Sequence, residues 1–366
     1  TPSNDDDTSY TKKAIEMVAK KVEDSPPNIF DVQTAIDRKE YEKRKKHSKD
    51  GPKENDVATE NGEPAPRAKP DKPAAEPGKP PTAPVKPPEA NPDSANPAKD
   101  PMAIEARKIS QGPKFANATK KLCFATTALN AEMTPAILAK PLPALAPANK
   151  FETKFAVVAA TSTQLAEKLA QEPGFLRPAV LNMANEKTPG GTFLTGGNAQ
   201  EERLCQQSNL YEALDAAHKA KLYPIHEFGA IYTPQVTFFK DDANKLIDEP
   251  FQIDVITSAA YNCGTGSNRP KSDDEYRDGT KKKIQAMLRA ALLNGNNALV
   301  LSAFGCGVFG NDPTFMSNLF KEVLTEKGSE FEGRFQFVVF AIPGGRNLEA
   351  FKKTFADKIA APPPPA

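Results

Sequence analysis

Residues 178–211 read PAVLNMANEKTPGGTFLTGGNAQEERLCQQSNLY, and the order of residue types in this stretch decides the fold class. The apolar run Ala179–Val180–Leu181 reads as the end of a buried strand, with Asn182 and Asn185 at its exit. Pro189–Gly190–Gly191–Thr192 follows, then seven residues that hold Gly196–Gly197, then Gln200–Glu201–Glu202. From Glu201 to Leu214 the spacing of Leu204, Leu210 and Leu214 predicts one helix. A strand, a glycine turn and a helix in succession place this chemistry at a strand's C-terminal end, where α/β folds bind ligands.

Glycines let the backbone turn sharply and approach a ligand, and their bare N–H groups suit phosphate oxygens. The positive end of the following helix favours the same anion. Two carboxylates at that helix start would repel a phosphate, so phosphate binding does not account for Glu201 and Glu202. Acidic residues in a first helical turn also serve as partners of the helix dipole, which is the bland reading of the pair. The convergence of amides, glycines and paired acids on one strand end favours chemistry over capping.

Working outward, strands alternate with helices from about Lys154, the mark of an α/β layer fold. Residues 155–160 read as a strand, 163–170 as a helix and 179–183 as the next strand. Beyond the glycine stretch, 231–239 and 253–258 are strands rich in β-branched and aromatic residues. In 273–293 a long helix carries Ile284, Met287, Leu288, Ala291 and Leu292 on one face. Residues 298–303 read as a buried strand, 313–324 as a helix opened by Pro, 335–342 as the last strand and 347–359 as the closing helix. Ser302 to Gly310 (SAFGCGVFG) is a second glycine loop that again follows a strand and precedes a helix, so its amides form a second anion cradle.

The 366 residues are not uniformly globular, for 35 are proline and the mean hydropathy is −0.55. Residues 1–50 form a polar segment with one amphipathic helix near 10–22, where Ala14, Ile15, Val18 and Val22 share a face. Within it, Lys43–Arg44–Lys45–Lys46 reads either as a nuclear import signal or as a solvated basic run. Residues 51–102 hold 14 of the 35 prolines and no aromatic residue, a linker too polar to offset its ordering entropy. Residues 103–150 regain apolar material and read as an arm that packs on a catalytic domain at 151–360, with a Pro-rich tail at 361–366. The first residue is not Met and no apolar signal segment follows, which reads as a trimmed start.

A net charge of +1 excludes a general field for nucleic acid or acidic membranes, and no run of roughly 18 apolar residues exists to span a bilayer. Four isolated cysteines and three histidines form no metal-ligand spacing, so no metal is expected. Buried free thiols in an intracellular, reducing compartment is the preferred reading of the cysteines. Cys306 lies in the second glycine loop without a nearby His and reads as a small residue packed in a turn.

Glycines followed after six to eight residues by Gln-Glu-Glu make residues 190–202 resemble the signature of the poly(ADP-ribose) glycohydrolases, most closely their microbial-type branch. Asn182 and Asn185 resemble the ribose-binding strand end of macrodomains, the fold on which those enzymes are built. The resemblance implies a macrodomain-like three-layer α/β/α architecture with a mixed central sheet, and it covers roughly residues 150–358. It departs at the third signature glycine, here Thr192, whose Cβ is expected to narrow the space beside the diphosphate and remove positive-φ freedom.

By the same resemblance Gly305, Cys306, Gly307, Val308, Phe309 and Gly310 wrap the diphosphate, with Phe309 against the terminal ribose; without the family, Phe309 reads equally as a core aromatic. Asn262 ends a strand that matches one in the family, and reads either as a ribose or loop contact or as a turn residue. Tyr261 reads as core or rim packing, with adenine stacking as its other reading. The substrate implied is poly(ADP-ribose) or an ADP-ribosylated protein, the product ADP-ribose, and the enzyme a monomer without cofactor in nucleus or cytoplasm. Glu202 would be the general acid and then activate water, its proton retained by partial burial and a like-charged neighbour. Glu201 would orient ribose hydroxyls, Gln200 would fix the loop, and Gly190, Gly191 and Thr192 would border the ligand. A mono-ADP-ribosyl hydrolase and a catalytically weak ADP-ribose reader remain the other readings of this pocket.

Overall fold

The computed structural model describes residues 99–171 and 176–359. The helix expected near 10–22, the basic run Lys43–Lys46, residues 51–98 of the linker and the 361–366 tail lie outside the described residues.

Each strand is short and apolar on both faces, as a sheet covered on both sides requires. Along β1 (Lys154–Val158), Phe155 and Val157 enter one buried cluster while Ala156 and Val158 enter another. The same alternation divides β2 (Pro178–Met183), where Ala179 and Leu181 face one way and Val180 the other. With β3 (Ile231–Lys240), β4 (Leu246–Ser258), β5 (Ala298–Leu301) and β6 (Phe337–Ala341), they form one sheet in the order β1-β6-β5-β2-β4-β3. All neighbours are parallel except β3, which runs antiparallel to β4 at the edge.

Helices α1 (Pro101–Gln111), α2 (Ala116–Glu132), α3 (Pro135–Leu138), α4 (Ser162–Gln171), α5 (Gln200–Gln207), α6 (Leu210–Lys219), α7 (Asp273–Leu293), α8 (Pro313–Thr325) and α9 (Gly345–Phe355) surround it. Ile284 and Met287 of α7, Phe320 of α8 and Phe351 of α9 fill one face of the sheet. Ala106 of α1, Leu165 of α4, Leu204 of α5 and Leu214 of α6 fill the other. The result is the three-layer α/β/α fold with a mixed sheet. Because β5, β2 and β4 are parallel neighbours, the loops that follow them leave from one edge of the sheet.

Three local expectations are corrected. The single helix read over 201–214 is two, α5 and α6, broken at Ser208 and Asn209. Ser208 bridges to Phe238, and Asn209 exchanges bonds with Thr237 through its backbone N–H (3.2 Å) and its side-chain Oδ1 (2.9 Å). The unpaired edge of β3 captures the chain there and ends the helix. Strand β4 begins at Leu246, not at 253, because its polar first half pairs with the end of β3 as a hairpin. Strand β5 stops at Leu301, and Ser302 and Ala303 already belong to the glycine turn.

Helix α1 starts at Pro101, capped by Asp100, whose Oδ2 accepts from Ala103 N at 3.0 Å. Helix α2 covers the exposed edge of the sheet. Buried Asn130 acts there as a strand would: its Oδ1 accepts from Tyr232 N at 2.9 Å and its Nδ2 donates to Tyr232 O at 2.7 Å. Asn130→Ala removes both partners from buried groups of β3, and is expected to destabilise the fold by about 1–3 kcal/mol. Urea unfolding of the two proteins measures it; an unchanged midpoint would show that the helix grips the edge by other means.

Candidate active site

The site starts from a backbone requirement. After β2, Gly190 (φ +70°) and Gly191 (φ +58°) both adopt the left-handed conformation that side chains resist. Space forbids a Cβ as well: at Gly190 it would sit 2.8 Å from Tyr211 Cδ2, and at Gly191 it would overlap Glu202 Oε1. Behind the turn, fully buried Phe193 packs on Tyr211 with ring centroids 4.7 Å apart, fixing the loop to the core.

Thr192 is not left-handed. Its φ of −97° and ψ of 22° suit any residue, so the loss of positive-φ freedom expected from the missing third glycine does not arise. Its backbone N–H donates to Glu202 Oε1 at 2.9 Å and its hydroxyl donates to the same oxygen at 3.0 Å.

The anion cradle expected for a phosphate in this loop is filled by the protein's own carboxylates. Gly190 N donates to Glu201 Oε1 (3.2 Å) and Asn185 N to Glu201 Oε2 (2.8 Å), while Thr192 N holds Glu202. The amides of Gly191 and Phe193 close the turn on Thr188 O and Gly190 O. Both acids lie in the first turn of α5 and are buried, Glu201 at 3% exposure and Glu202 at 6%. A helix start beside a ring of amides makes such burial of charge tolerable.

The two acids are held differently. Both oxygens of Glu201 are engaged, since Asn182 Nδ2 adds a third donor to Oε1 at 3.3 Å. Burial nevertheless pushes its carboxyl up to about 8, with the charge of Glu202 adding to the rise and the three donors opposing it. Glu202 accepts at Oε1 alone, and its Oε2 makes no hydrogen bond among the described residues.

The other residues singled out by sequence divide into supports and loop formers. Asn182 is fully buried and reaches Glu201 and Thr257 Oγ1 (3.2 Å). Asn185 Oδ1 accepts from the amides of Lys187 and Thr188, shaping the exit from β2. Gln200 pins the start of α5 to β2: Met183 N donates to its Oε1 at 2.8 Å, and its Nε2 donates to Leu181 O at 2.6 Å and Ser162 Oγ at 3.1 Å. Asn262 orders its own loop, its Nδ2 donating to Thr265 O and its Oδ1 accepting from Gly264 N. Tyr261 is buried, with its hydroxyl donating to Glu227 Oε1.

The second glycine loop, after β5, contrasts with the first. Gly305 (φ +71°) and Gly310 (φ +66°) turn the backbone, and the amides of Gly307, Val308 and Phe309 make no hydrogen bond among the described residues. Val308 is 83% exposed at the tip, and Phe309 is half-buried against the α7–α9 side of the core. Burial pushes the Cys306 thiol up to about 12, so it stays neutral and is no nucleophile near pH 7. This loop, not the first, has the unpartnered amides that an anion cradle requires.

Sequence reasoning counted Asn311, with Asp312 and Pro313, in the resemblance of this loop but gave it no role, and it is the residue that sets the loop. Buried Asn311 donates from Nδ2 to Gly305 O (2.9 Å) and Tyr261 O (2.7 Å) and accepts at Oδ1 from Tyr276 O–H (2.6 Å). It ties the loop after β5 to the loop after β4. An Asn that directly follows a glycine run and precedes Asp-Pro was its only signal. Ser162 and Thr257 gave none. Among the described residues no group of three or more His, Cys, Asp and Glu side chains is placed to hold a metal ion, and no helix is long and apolar enough to cross a membrane.

Comparison with known proteins adds an independent line. The family model for the microbial-type poly(ADP-ribose) glycohydrolase catalytic domain matches residues 105–241, which include the first glycine loop and both acids. The crystal structure of poly(ADP-ribose) glycohydrolase from Thermomonospora curvata is similar at 30% identity and a TM-score of 0.59, over 69% of this chain and 98% of that one. The same enzyme bound to the inhibitor ADP-HPD aligns at 29% identity and a TM-score of 0.57, with the same coverage. The Deinococcus radiodurans enzyme in complex with ADP-ribose aligns at 34% identity and a TM-score of 0.50, over 57% of this chain and 86% of that one. No curated protein sequence matches.

The raised carboxyl of Glu201 makes stability depend on pH. Between its ordinary 4.5 and about 8 the folded chain keeps a proton that the unfolded chain has released. Its contribution is therefore complete below the lower value and is lost as pH rises through the upper one. Glu201→Gln should flatten that decline: the urea midpoint of the variant changes less from about pH 5 to about pH 8 than that of the parent. Parallel declines in both proteins would assign the slope to another group.

Proposed function

The chain belongs to the microbial-type poly(ADP-ribose) glycohydrolases, and from that premise we propose that it releases ADP-ribose from chain ends of poly(ADP-ribose), with Glu202 as the proton donor. The observation that carries this assignment is the unequal engagement of the two acids. Glu201 has both oxygens tied to three donors, whereas Glu202 Oε2 has no partner among the described residues.

In this reading Glu202 Oε2 delivers a proton to the ribose oxygen that leaves as the glycosidic C–O bond breaks. Positive charge develops on the remaining anomeric carbon, and the carboxylate left on Glu202 steadies it. Water then adds to that carbon and returns its proton to Glu202. Burial keeps a proton on the acid pair up to about pH 8, through the raised carboxyl of Glu201. Adjacent residues cannot stand on opposite sides of the bond, so one carboxyl acts in both half-reactions, unlike the two-sided glycosidase layout.

Glu201 orients ribose hydroxyls from beneath, held by Asn182, Asn185 and Gly190. The free amides of Gly307, Val308 and Phe309 bind the diphosphate, supported by the exposed anion-ready turn after β5. Phe309 lies against the terminal ribose. The enzyme acts as a monomer and needs no metal. It works in nucleus or cytoplasm, with Lys43–Lys46 either an import signal or a solvated basic run.

Proton transfer of this kind accounts for about 10²–10⁴-fold in rate. Glu202→Gln should lower the release of ADP-ribose from labelled polymer by that factor and leave the Kd for ADP-ribose within about twofold. A variant that retains the parent rate would remove Glu202 from the chemistry. With the parent enzyme, free ADP-ribose should appear from the earliest times while long chains shorten gradually. An early burst of mid-length oligomers would instead mark cleavage inside the chain. Protein carrying single ADP-ribosyl units, run in parallel, should react far more slowly than polymer.

A further inference from the structure

Thr192 stands where the family signature has a glycine, at the mouth of the site, and its side chain is directed onto the acid. We infer that Thr192 is a positioning residue that fixes Glu202 in one orientation and leaves Oε2 as the oxygen open to the substrate. The inference rests on the reading of Glu202 as proton donor and adds to it a role for a residue that departs from the glycine signature.

The argument is one of donor counting. A protonated carboxyl has one oxygen that donates and one that accepts. Thr192 N and Thr192 Oγ1 both lie within hydrogen-bond distance of Oε1, at 2.9 and 3.0 Å, so the carboxylate is held at that oxygen by two donors. Oε2, the oxygen without a protein partner among the described residues, is thereby left open to the substrate. A glycine would supply the backbone donor alone, and the carboxyl could then rotate about its last bond with one restraint instead of two. Proton transfer depends on holding donor and acceptor in line.

Thr192 is itself held. Its carbonyl accepts from Thr195 N and Gly197 N, both at 3.0 Å, and from Thr195 Oγ1 at 3.2 Å. The neighbouring turn is shaped to admit its hydroxyl: a Cβ at Gly197 would overlap Thr192 Oγ1 and lie 2.8 Å from Glu202 Cγ. A bare backbone at Gly197 thus makes room for the pair formed by the Thr192 hydroxyl and the Glu202 side chain. The side chain that sequence reading treated as an obstacle is a hydrogen-bonding partner of the acid.

Three variants of the full chain test this. Thr192→Ser keeps the hydroxyl and should keep kcat within about twofold of the parent. Thr192→Val keeps the volume without the donor, and Thr192→Gly removes both. Each should lower kcat about three- to tenfold, the effect of one hydrogen bond to a carboxyl, with KM for polymer and Kd for ADP-ribose unchanged. Urea midpoints of all three confirm that the variants fold. Parent-like kcat in Thr192→Val, or equal losses in Thr192→Ser and Thr192→Val, would overturn the inference. Glu202→Gln separates the two layers of the argument. If it is inactive while Thr192→Val is unimpaired, only the role of Thr192 fails; if it is active, the proton-donor reading fails and this inference with it.

Discussion

The structure depends on a loop that turns its amides toward two carboxylates. Buried acids are costly unless hydrogen bonds replace the water they lose, and here Asn185 N, Gly190 N and Thr192 N do so. Amides can converge on two adjacent side chains only if the backbone between them reverses tightly. Gly190 and Gly191 meet that need, with positive φ at both and no space for a Cβ at either. The glycines therefore serve the acids first. Whatever the acids do to a substrate follows from their being held in place before it arrives.

This assigns the two glycine loops different work, although they look alike in composition. Each follows a parallel strand, β2 or β5, and these strands are neighbours, so both loops open at the same edge of the sheet. In the first loop every amide from Gly190 to Phe193 is engaged within the protein. In the second, three consecutive amides from Gly307 to Phe309 have no partner among the described residues. The second loop keeps its shape without their help because Asn311 fastens it through Gly305 and Tyr261. The amides that hold the acids are thus separate from the amides that are left without a partner among the described residues.

Much of the layer fold was legible because its signals are local. Alternating apolar runs and 3.6-residue periods marked β1, β2, β6, α7 and α8 to within a few residues, and the glycine turns fell at strand ends as the pattern required. What was not legible was set by partners distant in sequence. Helix α5 ends because Asn209 pairs with Thr237, and nothing near Asn209 announces that edge. Asn130 reads as an ordinary helix residue until Tyr232 is beside it. The polar first half of β4 reads as a loop because its pairing with β3, not its composition, makes it a strand.

The treatment of Thr192 shows where motif reading and geometry part. A run of glycines in a signature suggests one reason for all of them, yet the backbone distinguishes the positions. At 190 and 191 the conformation and the close approach of Tyr211 and Glu202 both exclude a side chain. At 192, φ is negative and the side chain extends toward the carboxylate that the backbone already holds. A glycine there is permitted, not required, by the fold. The constraint passes instead to Gly197, whose missing Cβ leaves room for the Thr192 hydroxyl. Substitution at a signature glycine is thus not by itself a sign of a failing site. Its consequence depends on whether that residue's own φ and the atoms along its Cβ direction oppose a side chain, and at Thr192 they receive one.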